Sequence, residues 1–266
     1  MPELPDLEVF KENIYKRLSS KKLVDVNVYN FQKVTTPQGV FNEELKDREL
    51  ISINRFGKEL LFDFGEGKIV AAHLMLSGTI SILNKVNGEP NAADSIKFKI
   101  FSMNFENEKV VFSDVGSLCT IKYKPALGDT PDAFGEDFTL EYFLDIARKK
   151  ARTNIKTFLI DQKVVKGIGN AYVDEILWQA RISPHSKVGK IPEEVLVELY
   201  HTIGKVFEEA IISIREIAPD IISGEERSFL QVHTKKRIQT ETGYPIIVER
   251  LSSKITYYTE EQVLYI

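Results

Sequence analysis

The spacing of apolar residues changes twice along the chain. Over residues 6–18, Leu7, Phe10, Ile14 and Leu18 recur every three or four positions, the period of an amphipathic helix. From residue 23 the period shortens towards two, in short runs rich in β-branched and aromatic side chains. These are Leu23–Tyr29, Leu50–Phe56, Leu60–Phe64, Ile69–Leu76, Thr79–Leu83, Ile96–Met103, Val110–Phe112 and Thr120–Tyr123, with glycine turns such as Gly65-Glu66-Gly67 between them. Eight strands without intervening helices predict an antiparallel β-sandwich or flattened barrel. Pro125, Gly128, Pro131 and Gly135 then cluster with acidic residues, and this stretch reads as a linker. Helical spacing returns in Leu140–Ala151, Asn154–Ile160, Ala171–Ala180 and Pro192–Ala218. The last of these opens with Pro192, Glu193 and Glu194 and carries a packing stripe of Leu196, Leu199, Ile203, Val206, Ala210 and Ile214. Tyr244–Tyr258 reads as a β-hairpin turning through Leu251–Ser253. The pattern therefore predicts an α+β chain of two domains: a helix plus sandwich over residues 1–130, and a helical domain over 131–266 whose hairpin lies within about 231–266.

Composition narrows the class. With 266 residues, 43% apolar and 28% charged, the chain suits a globular protein with a sizeable core. No apolar run approaches a bilayer-spanning length and no basic-then-apolar leader precedes the first helix. The expected location is intracellular (cytoplasm or nucleoid in a bacterium), with no membrane partner. Cys119 is alone, and His73, His185, His201 and His233 are scattered without ligand spacing, so neither a disulfide nor a protein metal site is expected. Nothing in the sequence calls for more than a monomer. The net charge of −4 argues mildly against a nucleic-acid partner, but its distribution argues the other way. Between Arg148 and Lys190 stand ten Lys/Arg against Asp161, Asp174 and Glu175, a net of +7 on an otherwise acidic body. Such a basic segment suits phosphates, although a solvated helical surface looks the same.

Two short segments carry candidate chemistry. The chain begins Met1-Pro2-Glu3-Leu4-Pro5-Asp6-Leu7-Glu8. Loss of Met1 would leave Pro2 with a secondary amine able to attack an electrophilic sugar carbon and form an iminium, with Glu3 beside it. An ordinary α-amino group titrates at about 7.7–8.0, so about a tenth is neutral at pH 7, whereas a lysine near ~10.4 needs much stronger tuning. The plainer reading is that Pro2 and Pro5 shape the entry to a helix and Glu3 stabilises its dipole. The second segment is Asp161–Asn170, DQKVVKGIGN, ahead of a new helix. Gly167 and Gly169 permit a tight turn with positive φ. The helix N-terminus then offers N–H groups to an anion, and Asn170 either caps that helix or gives its amide to phosphate.

Taken together, PELPDLE, Lys58 within RFGKELL, HLMLSG at His73–Gly78 and DQKVVKGIGNAYVDEIL at Asp161–Leu177 resemble the formamidopyrimidine-DNA glycosylase/endonuclease VIII family, in the same order over nearly the whole chain. The resemblance implies a two-domain base-excision repair enzyme that binds damaged double-stranded DNA in a cleft and carries a helix–two-turn–helix domain. It implies linked glycosylase and lyase steps without metal or cofactor. Pro2 matches the nucleophile at C1′, and Glu3 the acid/base. Lys58 matches a hairpin lysine near the lesion phosphate, and Asn170 the junction residue on backbone phosphate, with Lys166 and Gly169 in the same basic junction. Leu76 falls where an apolar side chain fills the space of the flipped nucleotide, as extrusion of a base requires.

The chain departs from the family pattern in several places. Gln239, Thr242, Thr259 and Gln262 stand where members carry a four-cysteine zinc finger, and Lys254 stands for its DNA-contacting arginine. Gly116 and Ser117 replace the arginine of the second wedge loop, Asp6 replaces a glutamate, and the lesion-covering loop is short around Ser223–Phe229. The lesion stays open among 8-oxoguanine, oxidised pyrimidines and bare abasic sites. The departures also motivate a second reading, a non-catalytic binder of damaged or distorted DNA.

Overall fold

The computed structural model describes residues 1–84 and 95–266. Their backbone contacts divide into two units: Met1–Pro2, Asp6–Gly128 and Ala218–Glu225 in the first, and Glu3–Pro5, Asp129–Ile217 and Glu226–Ile266 in the second. The division falls close to the composition shift at Pro125–Gly135, with two differences. Residues 218–225 return to the first unit, where Asn13 Nδ2 donates to the carbonyls of Pro219 and Ile221 and the Ile80 amide donates to Ser223 Oγ. The second half of the expected linker is packed: Asp132 and Ala133 are buried, and the chain there bridges to Lys166.

The first unit holds two four-stranded antiparallel sheets. One has the order β1 (Leu23–Val28), β6 (Lys99–Phe105), β7 (Glu108–Asp114), β5 (Gly78–Asn84). The other has β2 (Ser52–Phe56), β3 (Glu59–Asp63), β4 (Ile69–His73), β8 (Thr120–Tyr123). All eight runs form strands. The run through Leu76 stops at His73, because Met75 turns to positive φ (55°) and the chain folds over to β5. Inward residues of both sheets share one core. Phe62 of β3 meets Phe112 of β7 edge-on at 5.8 Å, and Leu7, Phe10, Ile14 and Leu18 of α1 (Leu4–Leu18) join it. A helix absent from the sequence reading, α2 (Gln38–Leu45), adds Phe41 and Leu45.

The second unit is helical: α3 (Leu140–Lys149), α4 (Ile155–Ile160), α5 (Asn170–Gln179) and the long α6 (Glu193–Ile217). Thr139 Oγ1 and Asn154 Oδ1 cap α3 and α4 by accepting from first-turn amides. All stripe positions of α6 named above are buried, and Leu196, Leu199, Ile203, Val206 and Ala210 pack in one core with Tyr172, Ile176 and Leu177 of α5. The C-terminal hairpin is β9 (Ile247–Leu251) with β10 (Lys254–Tyr258). Its turn is one residue tighter than expected. Ser252 and Ser253 both take positive φ (46° and 68°), which matches the right-handed twist of a two-residue hairpin.

Candidate active site

The densest set of sequence-predicted residues gathers at the start of α5. The Glu3 carboxylate accepts from the amides of Ala171 (3.0 Å) and Tyr172 (3.3 Å), two of the helix's otherwise unpaired first-turn donors. Two of the N–H groups that this helix start offers to an anion are thus taken by the chain's own Glu3, 3% exposed. The two glycines divide the labour differently from expectation. Gly167 carries the positive φ (100°), whereas Gly169 is extended (φ −122°) and is needed for space, since a methyl there would overlap the Glu3 carboxyl carbon. Asn170 is the first helical residue rather than the cap, which is Gly169. Its Nδ2 donates to the Ile255 carbonyl of the hairpin (2.9 Å), and its Oδ1 is buried without a hydrogen-bond partner among the described residues.

That carbonyl belongs to a buried ionic anchor. Lys156, counted in the sequence with the basic surface, is instead 1% exposed. Its Nζ donates to Asp174 Oδ1 (2.7 Å), Thr256 Oγ1 (2.9 Å) and the Ile255 carbonyl (3.1 Å), using all three ammonium protons. Burial pushes its pKa down, and Asp174 opposes that shift. Asp174 Oδ2 also accepts from the Tyr257 amide (3.1 Å) and lies 2.7 Å from His233 Nδ1. One turn of α5 thus grips the hairpin that exposes Lys254 just past its tip. Lys166 lies in the junction before α5, its backbone paired with Pro131 and Ala133. The basic face is smaller than the count suggests: Arg148, Lys149, Lys150 and Arg181 pair with Glu193, Asp145, Asp161 and Glu261.

In the first unit the terminal ammonium of Met1 lies 2.7 Å from Glu225 Oε2, and Pro2 is buried. Lys58 sits in the turn joining β2 to β3. That turn is braced by Arg55, which donates to the Gly57 carbonyl (3.0 Å) and pairs with Glu8 of α1 (2.6 Å). Leu76 stands at the β4–β5 turn, 64% exposed. This turn is tied to the β7–β8 loop by Ser77 Oγ, which donates to Asp114 (2.5 Å); Asp114 also accepts from the amides of Gly116, Leu118 and Cys119. Burial alone would raise the Asp114 pKa, but these donors outweigh it and hold the carboxyl below its ordinary value. The second loop presents Val115, 74% exposed, next to Gly116 and Ser117. Sequence reading singled out neither Arg55 nor Asp114, since nothing local marks either one.

Among the described residues no group of three or more His, Cys, Asp and Glu is placed to hold a metal, and no helix is long and apolar enough to cross a membrane. A pocket of about 520 Å³ lies in the second unit, lined in part by Tyr172, Trp178, Phe229 and Glu241. None of the predicted site residues lines it.

The fold and this arrangement place the chain in a known class. The formamidopyrimidine-DNA glycosylase N-terminal domain matches residues 1–121, and the formamidopyrimidine-DNA glycosylase H2TH domain matches residues 129–218. The chain therefore belongs to the formamidopyrimidine-DNA glycosylase/endonuclease VIII family, the DNA glycosylases of base-excision repair. A formamidopyrimidine-DNA glycosylase of Carboxydothermus hydrogenoformans is 30% identical over 267 residues, covering 97% of this chain and 98% of that protein. One from Pelotomaculum thermopropionicum is 27% identical, covering 97% of each. A Lactococcus lactis Fpg mutant, solved in complex with DNA containing Fapy-dG, superposes with a TM-score of 0.83 at 26% identity, covering 98% of this chain and 99% of that one.

Proposed function

We propose that this chain is a bifunctional DNA glycosylase and abasic-site lyase, acting inside the cell on double-stranded DNA that carries an oxidised base or an abasic site. Removal of Met1 turns the Pro2 nitrogen into a secondary amine. Its lone pair attacks C1′ of an extruded nucleotide, the C1′–N bond to the base breaks, and the base leaves with a proton. The sugar ring opens to an iminium on Pro2, which acidifies C2′. Loss of a C2′ proton then breaks the 3′ C–O bond to phosphate, and water releases the amine. Protein groups alone carry these steps, and Glu3 moves the protons at the sugar. Lys58, Lys166, Gly169, Asn170 and Lys254 hold backbone phosphates, and Leu76 enters the space of the extruded nucleotide.

One observation carries the reading: the carboxylate next in chain to Pro2 is fixed by two α5 amides in a niche only a glycine at 169 leaves open. A carboxylate so held keeps its geometry through a reaction cycle. The related solved proteins bound to lesion-containing DNA support the choice of substrate. The test compares protein lacking Met1 with a form that retains it, assaying nicking of a duplex with one abasic site. Nicking more than about 100-fold slower in the Met1-retaining form is expected, the low end of a lost catalytic group. Equal rates would remove the amine mechanism, and tight binding by both forms without nicking would favour the non-catalytic binder.

A further inference from the structure

The hairpin has a second anchor that the reading above does not use. Glu261 lies just past β10 with its side chain 8% exposed. Its Oε2 accepts from Trp178 Nε1 (3.2 Å), Thr242 Oγ1 (2.9 Å) and Thr259 Oγ1 (3.2 Å), and its Oε1 accepts from Arg181 Nη1 (2.5 Å). Four donors thus converge on one carboxylate from three separate stretches: the end of α5, the turn before β9, and the turn after β10. The neighbours close the same joint. Gln262 accepts from the Thr259 amide and donates to the Ile182 carbonyl (both 2.8 Å), and the Val263 amide donates to Arg181 O (2.8 Å). Thr242 and Thr259 are two of the four positions at which the sequence pattern marks metal ligands. Burial would raise the Glu261 pKa, but the bonds from Thr242, Trp178 and Arg181 outweigh it and hold the carboxyl below its ordinary value.

We infer that Glu261 is the cross-link that fastens both ends of the C-terminal hairpin to α5, and that it is thereby a positioning residue for Lys254. The physical case is that a metal and a buried carboxylate solve the same problem with opposite signs. A cation collects anionic or lone-pair ligands from distant segments; here an anion collects hydroxyl, indole and guanidinium donors. Removing the carboxylate leaves those donors facing one another with no shared acceptor. The hairpin's own ladder and the Lys156–Asp174 anchor remain, so the expected change is a loosening of residues 239–263 rather than loss of the fold.

The inference rests on the proposed phosphate contact of Lys254, so two readouts are needed. The first involves no DNA. Trp178 is the chain's single tryptophan and its indole N–H is one of the four donors, which makes it a built-in reporter. In Glu261→Ala, acrylamide quenching of Trp178 is expected to rise at least about twofold, and amide exchange across 239–263 to quicken while that of the β-sandwich holds. Glu261→Gln, which keeps one acceptor oxygen, falls between. Unchanged quenching and exchange in Glu261→Ala would overturn the cross-link, as would a chelator-induced loosening of the unaltered protein. The second readout is the slope of log affinity for abasic-site DNA against log salt. Lys254→Ala is expected to reduce it by about one, Glu261→Ala to do the same, and the double variant to do no more. Additive losses, or no loss in Glu261→Ala alone, would overturn the positioning role. An unchanged slope in Lys254→Ala would instead mark the failure of the Lys254 contact itself.

Discussion

At the scale of single residues, the niche around Glu3 decides most. Gly169→Ala places a methyl into the Glu3 carboxyl group and evicts it from the α5 N-terminus. Base excision is expected to fall by about 10²-fold or more, comparable to Glu3→Gln, with far-UV dichroism unchanged; single-turnover excision kinetics check it. An alanine variant with full activity would mean the carboxylate acts from elsewhere. Asp114 makes a pH prediction. Its folded pKa is depressed, so its stabilisation is complete above the ordinary carboxylate range and is lost as pH falls through the lowered folded value. Asp114→Asn is expected to cost about 1–3 kcal/mol at neutral pH and to flatten the acid limb of stability, read by urea titrations between pH 3 and 7. Pro2, Glu3 and Gly169 could be singled out in sequence as candidates, but the bond from Glu3 to amides 168 and 169 positions away could not. A helix N-terminus in a basic segment reads as a phosphate site, and nothing local shows that a carboxylate of the same chain takes two of its amides.

Elements were read best where a run is patterned or rich in β-branched and aromatic residues. Strand β5 alternates, whereas β3, β4, β6 and β7 are buried at consecutive positions and show themselves by composition, and α6 carries its stripe from Leu196 to Ile214. Helix α2 escaped because it is eight residues long, buries two of them, and is capped by Pro37 without a side-chain bond. Lys156 escaped for another reason: in a segment rich in Lys and Arg, nothing local distinguishes the one that turns inward. Breaking its pair by Lys156→Ala takes from buried Asp174 its lysine partner and leaves it the Tyr257 amide and His233, with an expected loss of about 3 kcal/mol in urea denaturation, the low end for a broken buried pair. The hairpin offers the opposite test. Since Ser252 and Ser253 both sit at positive φ, the double change Ser252→Asn, Ser253→Gly suits that turn and is expected to stabilise the hairpin by about 1 kcal/mol, the relief of left-handed strain less the entropy cost of the new glycine, read by amide exchange in β9 and β10. Faster exchange would contradict the turn geometry.

The whole molecule combines a net charge of −4 with DNA as its proposed partner, so attraction must be local. Pairing of four basic side chains and burial of Lys156 remove half of the ten cations counted between Arg148 and Lys190. Overall charge therefore misleads in both directions, and only the fold shows which cations hold the protein together. Two cores, one of sheets and one of helices, each carry part of the candidate machinery: Lys58 and Leu76 on turns of the first unit, Glu3, Asn170 and Lys254 in the second. The central claim is that the terminal nitrogen of Pro2 bonds to the sugar. Borohydride reduction during turnover of an abasic-site duplex, followed by mass mapping of the trapped protein, tests it most directly. The account expects one covalent adduct on the peptide that begins at Pro2. An adduct on a lysine, or none despite strand cleavage, would contradict it.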